Sequence, residues 1–267
     1  MGRQALLTVA QRFQLKPEDF ESFGQQTHQL YRAGDLVIKL IDVTEADIYR
    51  KLEPVIDLPV VCLENDVLVM KDLGTALTGQ HLTAEQMKRI MAKVIRIQRA
   101  AVDLPLYPLD EIERVWLRDL CGELNIHLMA TIDPYYHALR VRNYHQKLPL
   151  VLTHGDLHRG NIFDCTDIQL IDWERAALSS PVRDITMLLQ DYATAEEIRS
   201  YRETFFQLLP FEINHADYRQ EFNIFLLVNT VKMLVWELSK YQQGMQQQDE
   251  TMREVARKMA VLKLLED

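Results

Sequence analysis

The chain has 267 residues, 48% apolar and 26% charged, with 39 acidic against 30 basic side chains and a formal net charge of −9. Such a composition excludes a disordered, collagenous or low-complexity chain. The acidic excess argues against a nucleic-acid partner, which would need a basic stripe, and is compatible with a cationic small-molecule substrate.

The first residues read as a short amphipathic helix carrying Leu6, Leu7, Val9, Ala10 and Phe13, ended by Pro17. Residues 21–43 are β-favouring and punctuated by Gly24 and Ala33-Gly34-Asp35, which predicts two or three antiparallel strands with a turn at Gly34. A short helix follows and stops at Pro54. Val60-Val61-Cys62 and Val67-Leu68-Val69-Met70 read as two strands around a turn at Glu64-Asn65-Asp66.

From Thr83 the character changes. Thr83-Ala84-Glu85-Gln86 is a capping-box pattern ahead of a helix reaching about Ala101. One further helix is expected over 110–132, then a strand at 150–153 and short strands at 162–163 and 168–172. After Asp184 the pattern is helical: 184–193, a helix behind the capping pair Thr194 and Glu197, then 218–241 and 252–265. The apolar run 222–238 contains Asn223, Asn229, Lys232 and Glu237, so it reads as a buried core helix and not a membrane span. Cys62, Cys121 and Cys165 are far apart, odd in number and form no C-x-x-C, which argues against a disulfide framework or structural zinc. The N-terminal segment has no signal-like apolar run, and a cytoplasmic location is the expectation. The division is a small β-rich lobe, residues 1–73, and a large helical lobe, residues 74–267, with a hinge near Met70–Gly74 and a cleft between them.

The chemistry concentrates in His154-Gly155-Asp156-Leu157-His158-Arg159-Gly160-Asn161, entered from a strand and followed by Ile171-Asp172-Trp173-Glu174. An Asp, an Asn five residues on, and a second Asp after a β-turn suit phosphoryl transfer, which needs a positioned hydroxyl and a cation more than covalent chemistry. Asp156 can orient the hydroxyl or accept its proton, and Asn161 and Asp172 supply the hard oxygens that Mg²⁺ prefers. Lys39 on a strand, with Glu45 on the next helix, fits the cation that such a site sets against the nucleotide phosphates. Gly74 and Gly79 have the glycine spacing of a P-loop, but Gln80 and His81 stand where Lys and Ser/Thr are required.

These residues resemble the aminoglycoside phosphotransferase / choline kinase-like family, small-molecule kinases with the protein-kinase fold. The resemblance rests on Val37-Ile38-Lys39, Glu45-Ala46…Leu52, Leu68-Val69-Met70-Lys71-Asp72-Leu73-Gly74, the motif from His154 to Asn161, Ile171-Asp172-Trp173-Glu174 and Pro181…Asp184, over half the chain. It implies an α+β, two-lobed protein-kinase-like fold and an ATP-dependent phosphotransferase acting on a hydroxyl of a small molecule such as an aminoglycoside, choline, ethanolamine, thiamine or a sugar. Asp156 would be the catalytic base, with Mg²⁺ on Asn161 and Asp172. Nucleotide contacts would come from Lys39 with Glu45, from Gly24 in the nucleotide loop, from His158, and from Met70, Lys71 and Leu73 in the hinge. Asp184 would buttress the catalytic loop.

Two departures stand out. The loop Phe23-Gly24-Gln25-Gln26-Thr27-His28 is poor in glycine, which leaves GTP open as a donor beside ATP, and Arg159 stands where the family often has Pro. Two other readings stand beside the kinase: a nucleotide-binding module without catalysis, and a metallohydrolase ligating through His154, Asp156 and His158. Trp116, Tyr135, Tyr136, Tyr192 and Trp236 are expected in the core before a substrate cage, and Glu174 is a candidate partner for a substrate cation.

Overall fold

Period-two alternation in the first lobe folds into a five-stranded antiparallel sheet. A computed structural model describes residues 2–23, 30–64, 66–79, 81–109 and 111–266. The strands are β1 (Glu21–Phe23), β2 (Leu30–Ala33), β3 (Leu36–Leu40), β4 (Val60–Glu64) and β5 (Val67–Lys71), ordered β1-β2-β3-β5-β4. Gly34, at φ +61, closes the two-residue turn between β2 and β3, a backbone setting that glycine adopts without a Cβ penalty. Alternation along β3 turns Leu36 and Ile38 to one face and Val37 and Lys39 to the other. The first face packs with Val67, Val69 and Val9 of helix α1 (Gly2–Phe13). On the second lies α2 (Val43–Leu52), whose Ala46, Tyr49 and Leu52 join Leu68 and Met70 in the main core. Burial of Leu52, Leu68 and Met70 there contributes roughly 1.5–3 kcal/mol each. Asp42 caps α2 by accepting from Glu45 N at 2.8 Å.

The second lobe is helical around two small antiparallel pairs. Helix α3 (Ala84–Ile97) starts at the expected capping box of Thr83 and Gln86. The single helix expected over 110–132 is two, α4 (Ile112–Glu123) and α5 (Met129–Ala138). The break comes at Asn125, which takes φ +56 while Ile126 N bonds back to Cys121 O, a left-handed helix ending. Strand β6 (Val151–Thr153) enters the motif, β7 (Ile162–Asp164) and β8 (Ile168–Leu170) leave it, and β9 (Ala177–Ser179), which no sequence pattern announced, pairs with β6.

Helices α6 (Arg183–Tyr192), α7 (Ala195–Leu208), α8 (His215–Gln242) and α9 (Gln248–Leu262) complete the chain, with the expected Thr194 and Glu197 box opening α7. By length and composition α8 could cross a membrane, but 67% of its apolar window is buried inside the protein. It packs against α4, α6 and α9. This is the two-lobed α+β arrangement expected, with a core running from α2 and β5 through α3 and the motif strands to α6 and α8.

Candidate active site

The motif loop is held from behind. Asp184, in the first turn of α6, accepts hydrogen bonds from His154 N at 2.8 Å and Gly155 N at 2.9 Å. Gly155 sits at φ +83, and a Cβ there would fall on the Arg175 carbonyl oxygen and lie 2.6 Å from Arg183 Nη2. Arg183 donates to Thr153 Oγ1 at 2.9 Å and stacks over the Tyr107 ring at 3.7 Å.

His154 is buried against Trp173, with Nε2 2.8 Å from Ile171 O and Nδ1 accepting from Asp156 N at 3.3 Å. Burial pushes its imidazole below the ordinary histidine value, against the pull of Asp184. Both ring nitrogens are therefore spent inside the loop, and the metallohydrolase reading loses its first ligand. His158 Nδ1 accepts from Gly160 N at 3.1 Å, capping a short turn, and its Nε2 lies 3.9 Å from Asp156 Oδ2. The Asn161 amide nitrogen donates to Asp156 O at 3.0 Å, which leaves its Oδ1 for a cation.

Across the cleft, Lys39 Nζ lies 2.7 Å from both Glu45 Oε1 and Asp172 Oδ1. Burial acts to lower the lysine pKa, but Asp172 and Glu45 outweigh it and hold Lys39 above its ordinary value. Asp172 takes φ +66, an uncommon setting for a residue with a Cβ, and Trp173 N next to it donates to Tyr49 OH of α2 at 3.4 Å. Donor atoms of Glu45, Asp172 and Glu174 lie within 4.8 Å of one another. With Lys39 on Oδ1, Asp172 keeps Oδ2, so Asn161 and Asp172 make a hard-oxygen donor set suited to Mg²⁺.

Lys39, Asn161 and Asp172 line one cleft of about 250 Å³ with Met70, Lys71 and Leu73 of the hinge. Lys71 N and Asp72 N are spent on Pro59 O and Asp35 O. Asp72 also pairs with Arg32 Nε of β2 at 2.6 Å and accepts from Gly74 N at 2.9 Å, which fixes the hinge's course.

A model of the phosphotransferase enzyme family matches residues 3–220. The chain belongs to that phosphotransferase family. No curated protein matches the chain. Similar solved structures include the choline kinase LicA from Streptococcus pneumoniae, with 16% identity, a TM-score of 0.66 and coverage of 100% of this chain and 99% of that one. A choline kinase from Cryptosporidium parvum Iowa II has 14% identity, a TM-score of 0.68 and coverage of 99% and 95%. The GDP complex of aminoglycoside 2′-phosphotransferase-IIIa has 17% identity, a TM-score of 0.62 and coverage of 96% and 98%. These structures share the fold.

In this phosphotransferase Lys39, Met70, Lys71, Leu73, Asn161 and Asp172 line one interlobe cleft, Glu45 and Asp156 adjoin it through Lys39 and Asn161, His158 stands beside Asp156, and Gly24 lies outside the described residues. Asp156 carries the surprise. Its Oδ1 lies 3.0 Å from Lys232 Nζ of α8. Burial works against its charged form, yet Lys232 and His158 outweigh it and hold the carboxyl below the usual carboxylate range. In the sequence Lys232 reads only as a charge interrupting an apolar helix, and that misplaced charge is the one available signal. Arg159 is turned toward α6, where its Nε donates to Asp191 Oδ2 at 2.8 Å and its guanidinium lies over the Tyr192 ring. Glu174 pairs loosely with Arg175 at 3.8 Å. Trp116 and Trp236, expected in the core, are 50% and 48% exposed on α4 and α8, whereas Tyr136 is buried. Both tryptophans sit on helix faces turned away from the packed seam.

Proposed function

We propose that the protein is an ATP-dependent kinase that moves the γ-phosphate to a hydroxyl of a small molecule. The observation that carries this reading is that an ion-paired Lys39 from the sheet and Asn161 and Asp172 from the helical lobe line one cleft, with Asp156 held next to them by the bond from the Asn161 amide to its carbonyl oxygen. Leu73 is the hinge residue left to meet the base, since its neighbours' N–H groups are already bonded. Lys39, held rigid by two carboxylates, sets its ammonium against the nucleotide phosphates. Asn161 Oδ1 and Asp172 would hold Mg²⁺, which would neutralise charge developing on the phosphates. Asp156 orients the acceptor hydroxyl for in-line attack and takes its proton as the oxygen–phosphorus bond forms and the bond to the leaving nucleoside diphosphate breaks. His158 caps the catalytic turn and faces Asp156, so its contact with the nucleotide is indirect in this reading.

Two of the solved relatives are choline kinases and one is an aminoglycoside phosphotransferase captured with GDP, so alcohol-bearing amines and both purine donors belong in the assay. The test measures ADP release from Mg-ATP, and separately GDP release from Mg-GTP, across a panel of hydroxyl acceptors. Acceptor-dependent release that falls at least about 100-fold in Asp156→Asn is the expected result. Undiminished release in that variant overturns the reading.

A further inference from the structure

Lys232 sits mid-helix in α8, between the fully buried Val231 and Leu234. An apolar side chain would pack there more cheaply, because an ammonium withdrawn from water is costly unless it is paired. Its partner is Asp156, 76 positions away, with Nζ 3.0 Å from Oδ1. Among the described residues, no other side chain comes within hydrogen-bond distance of that carboxylate, and His158 Nε2 stands off at 3.9 Å from Oδ2. The helix cannot roll to change this. Asn229, nearly one turn earlier on the same face, donates to Arg183 O at 3.0 Å and Thr186 Oγ1 at 2.9 Å and pins α8 to α6.

We propose that Lys232 is a positioning residue for phosphoryl transfer: it grips Asp156 Oδ1 from a rigid helix and so presents Oδ2 as the oxygen that orients the attacking hydroxyl. This rests on the kinase reading above. The carboxylate of an aspartate turns about χ1 and χ2, and one strong anchor on Oδ1 removes both freedoms. In the transfer, the acceptor O–P bond forms, the bond from phosphorus to the leaving diphosphate oxygen breaks, and the hydroxyl proton passes to Oδ2. Misplacing a group of this kind by about 1 Å costs on the order of 100-fold in rate.

The test uses the full chain with Mg-ATP and water as the acceptor, read as ADP release, in wild type, Asp156→Asn, Lys232→Met and Lys232→Arg. The expected result is a fall of about 100-fold in kcat for Lys232→Met, with the KM for Mg-ATP unchanged. Lys232→Arg, which keeps a charged donor in reach, returns kcat to within about tenfold of wild type. If Lys232→Met unfolds, the Arg variant decides alone: folded protein with kcat still at about one hundredth of wild type overturns the proposal. A Met variant with wild-type kcat, or one altered only in KM, also overturns it while leaving the kinase reading intact, provided Asp156→Asn is inactive. Wild-type turnover in Asp156→Asn overturns both.

Discussion

Lys39 of β3 and Asp172 of the loop after β8 form a 2.7 Å ion pair across the cleft, joining residues 133 positions apart. Glu45 of α2 completes the cluster at 2.7 Å, so the sheet, its one inserted helix and the helical lobe meet at a single ammonium. Lys39→Met would leave Glu45, only 6% exposed, without its partner. Breaking a buried pair from one side costs about 3 kcal/mol. We expect an unfolding free energy lower by that amount and, on the proposed reading, a loss of ADP release of at least about 100-fold, since the cation set against the phosphates goes with it. Equilibrium unfolding and the acceptor assay check the two effects separately.

Gly155→Ala is expected to distort the motif loop after β6 and, on the proposed reading, to abolish transfer. The position combines φ +83 with a backbone carbonyl, that of Arg175, where the methyl group would go. The left-handed setting alone costs about 1 kcal/mol, and the clash forces either the loop or the Arg175 segment to move. Circular dichroism melts should show a destabilisation above about 2 kcal/mol, and transfer should be lost even below the melting point.

For Asp184→Ala the structure predicts a stability defect that is local in origin. Both carboxylate oxygens accept from buried loop N–H groups, His154 N and Gly155 N. Leaving two buried donors without acceptors costs about 3 kcal/mol. Asp184→Asn keeps one carbonyl oxygen and should recover roughly half of that. Amide exchange at His154 and Gly155, measured by NMR, should accelerate first in the alanine variant.

Lys258 of α9 supplies a pH test of the helical lobe. It is 1% exposed, its Nζ lies 3.3 Å from Gln190 Oε1, and burial lowers its pKa to about 8. Between that value and the unfolded lysine value near 10.4, the unfolded chain binds more protons than the folded one. Stability from this group therefore rises with pH from about 8 to about 10.4, and below pH 8 the full penalty, about 3 kcal/mol, is present. Lys258→Met should be more stable than wild type at pH 7, and the gap should close as pH approaches 10. Parallel urea titrations at pH 7 and pH 10 would show a constant gap if the buried charge were not the cause.

Much of this architecture is local in origin and was legible without coordinates. The capping boxes at Thr83 and Thr194 are closed by side chains three residues away, and the alternation that sends Leu36 and Ile38 to one face and Lys39 to the other needs only a pleated strand. The motif from His154 to Asn161 is likewise compact enough to be read in line. The α4–α5 break was hidden because Asn125 is a weak helix stop without its left-handed setting, and β9 because a three-residue strand exists only through its pairing with β6.

By itself, then, the sequence determined most of the order of elements, the motif residues of the loop after β6 and the Lys39–Glu45 pairing, because each depends on neighbours within a turn or two of chain. Tertiary structure alone decided that Arg159 turns to Asp191, that Trp236 faces solvent and that Lys232 meets Asp156. Those outcomes follow from how helices roll and pack against one another, and a contact across 76 residues leaves no periodic trace in either segment.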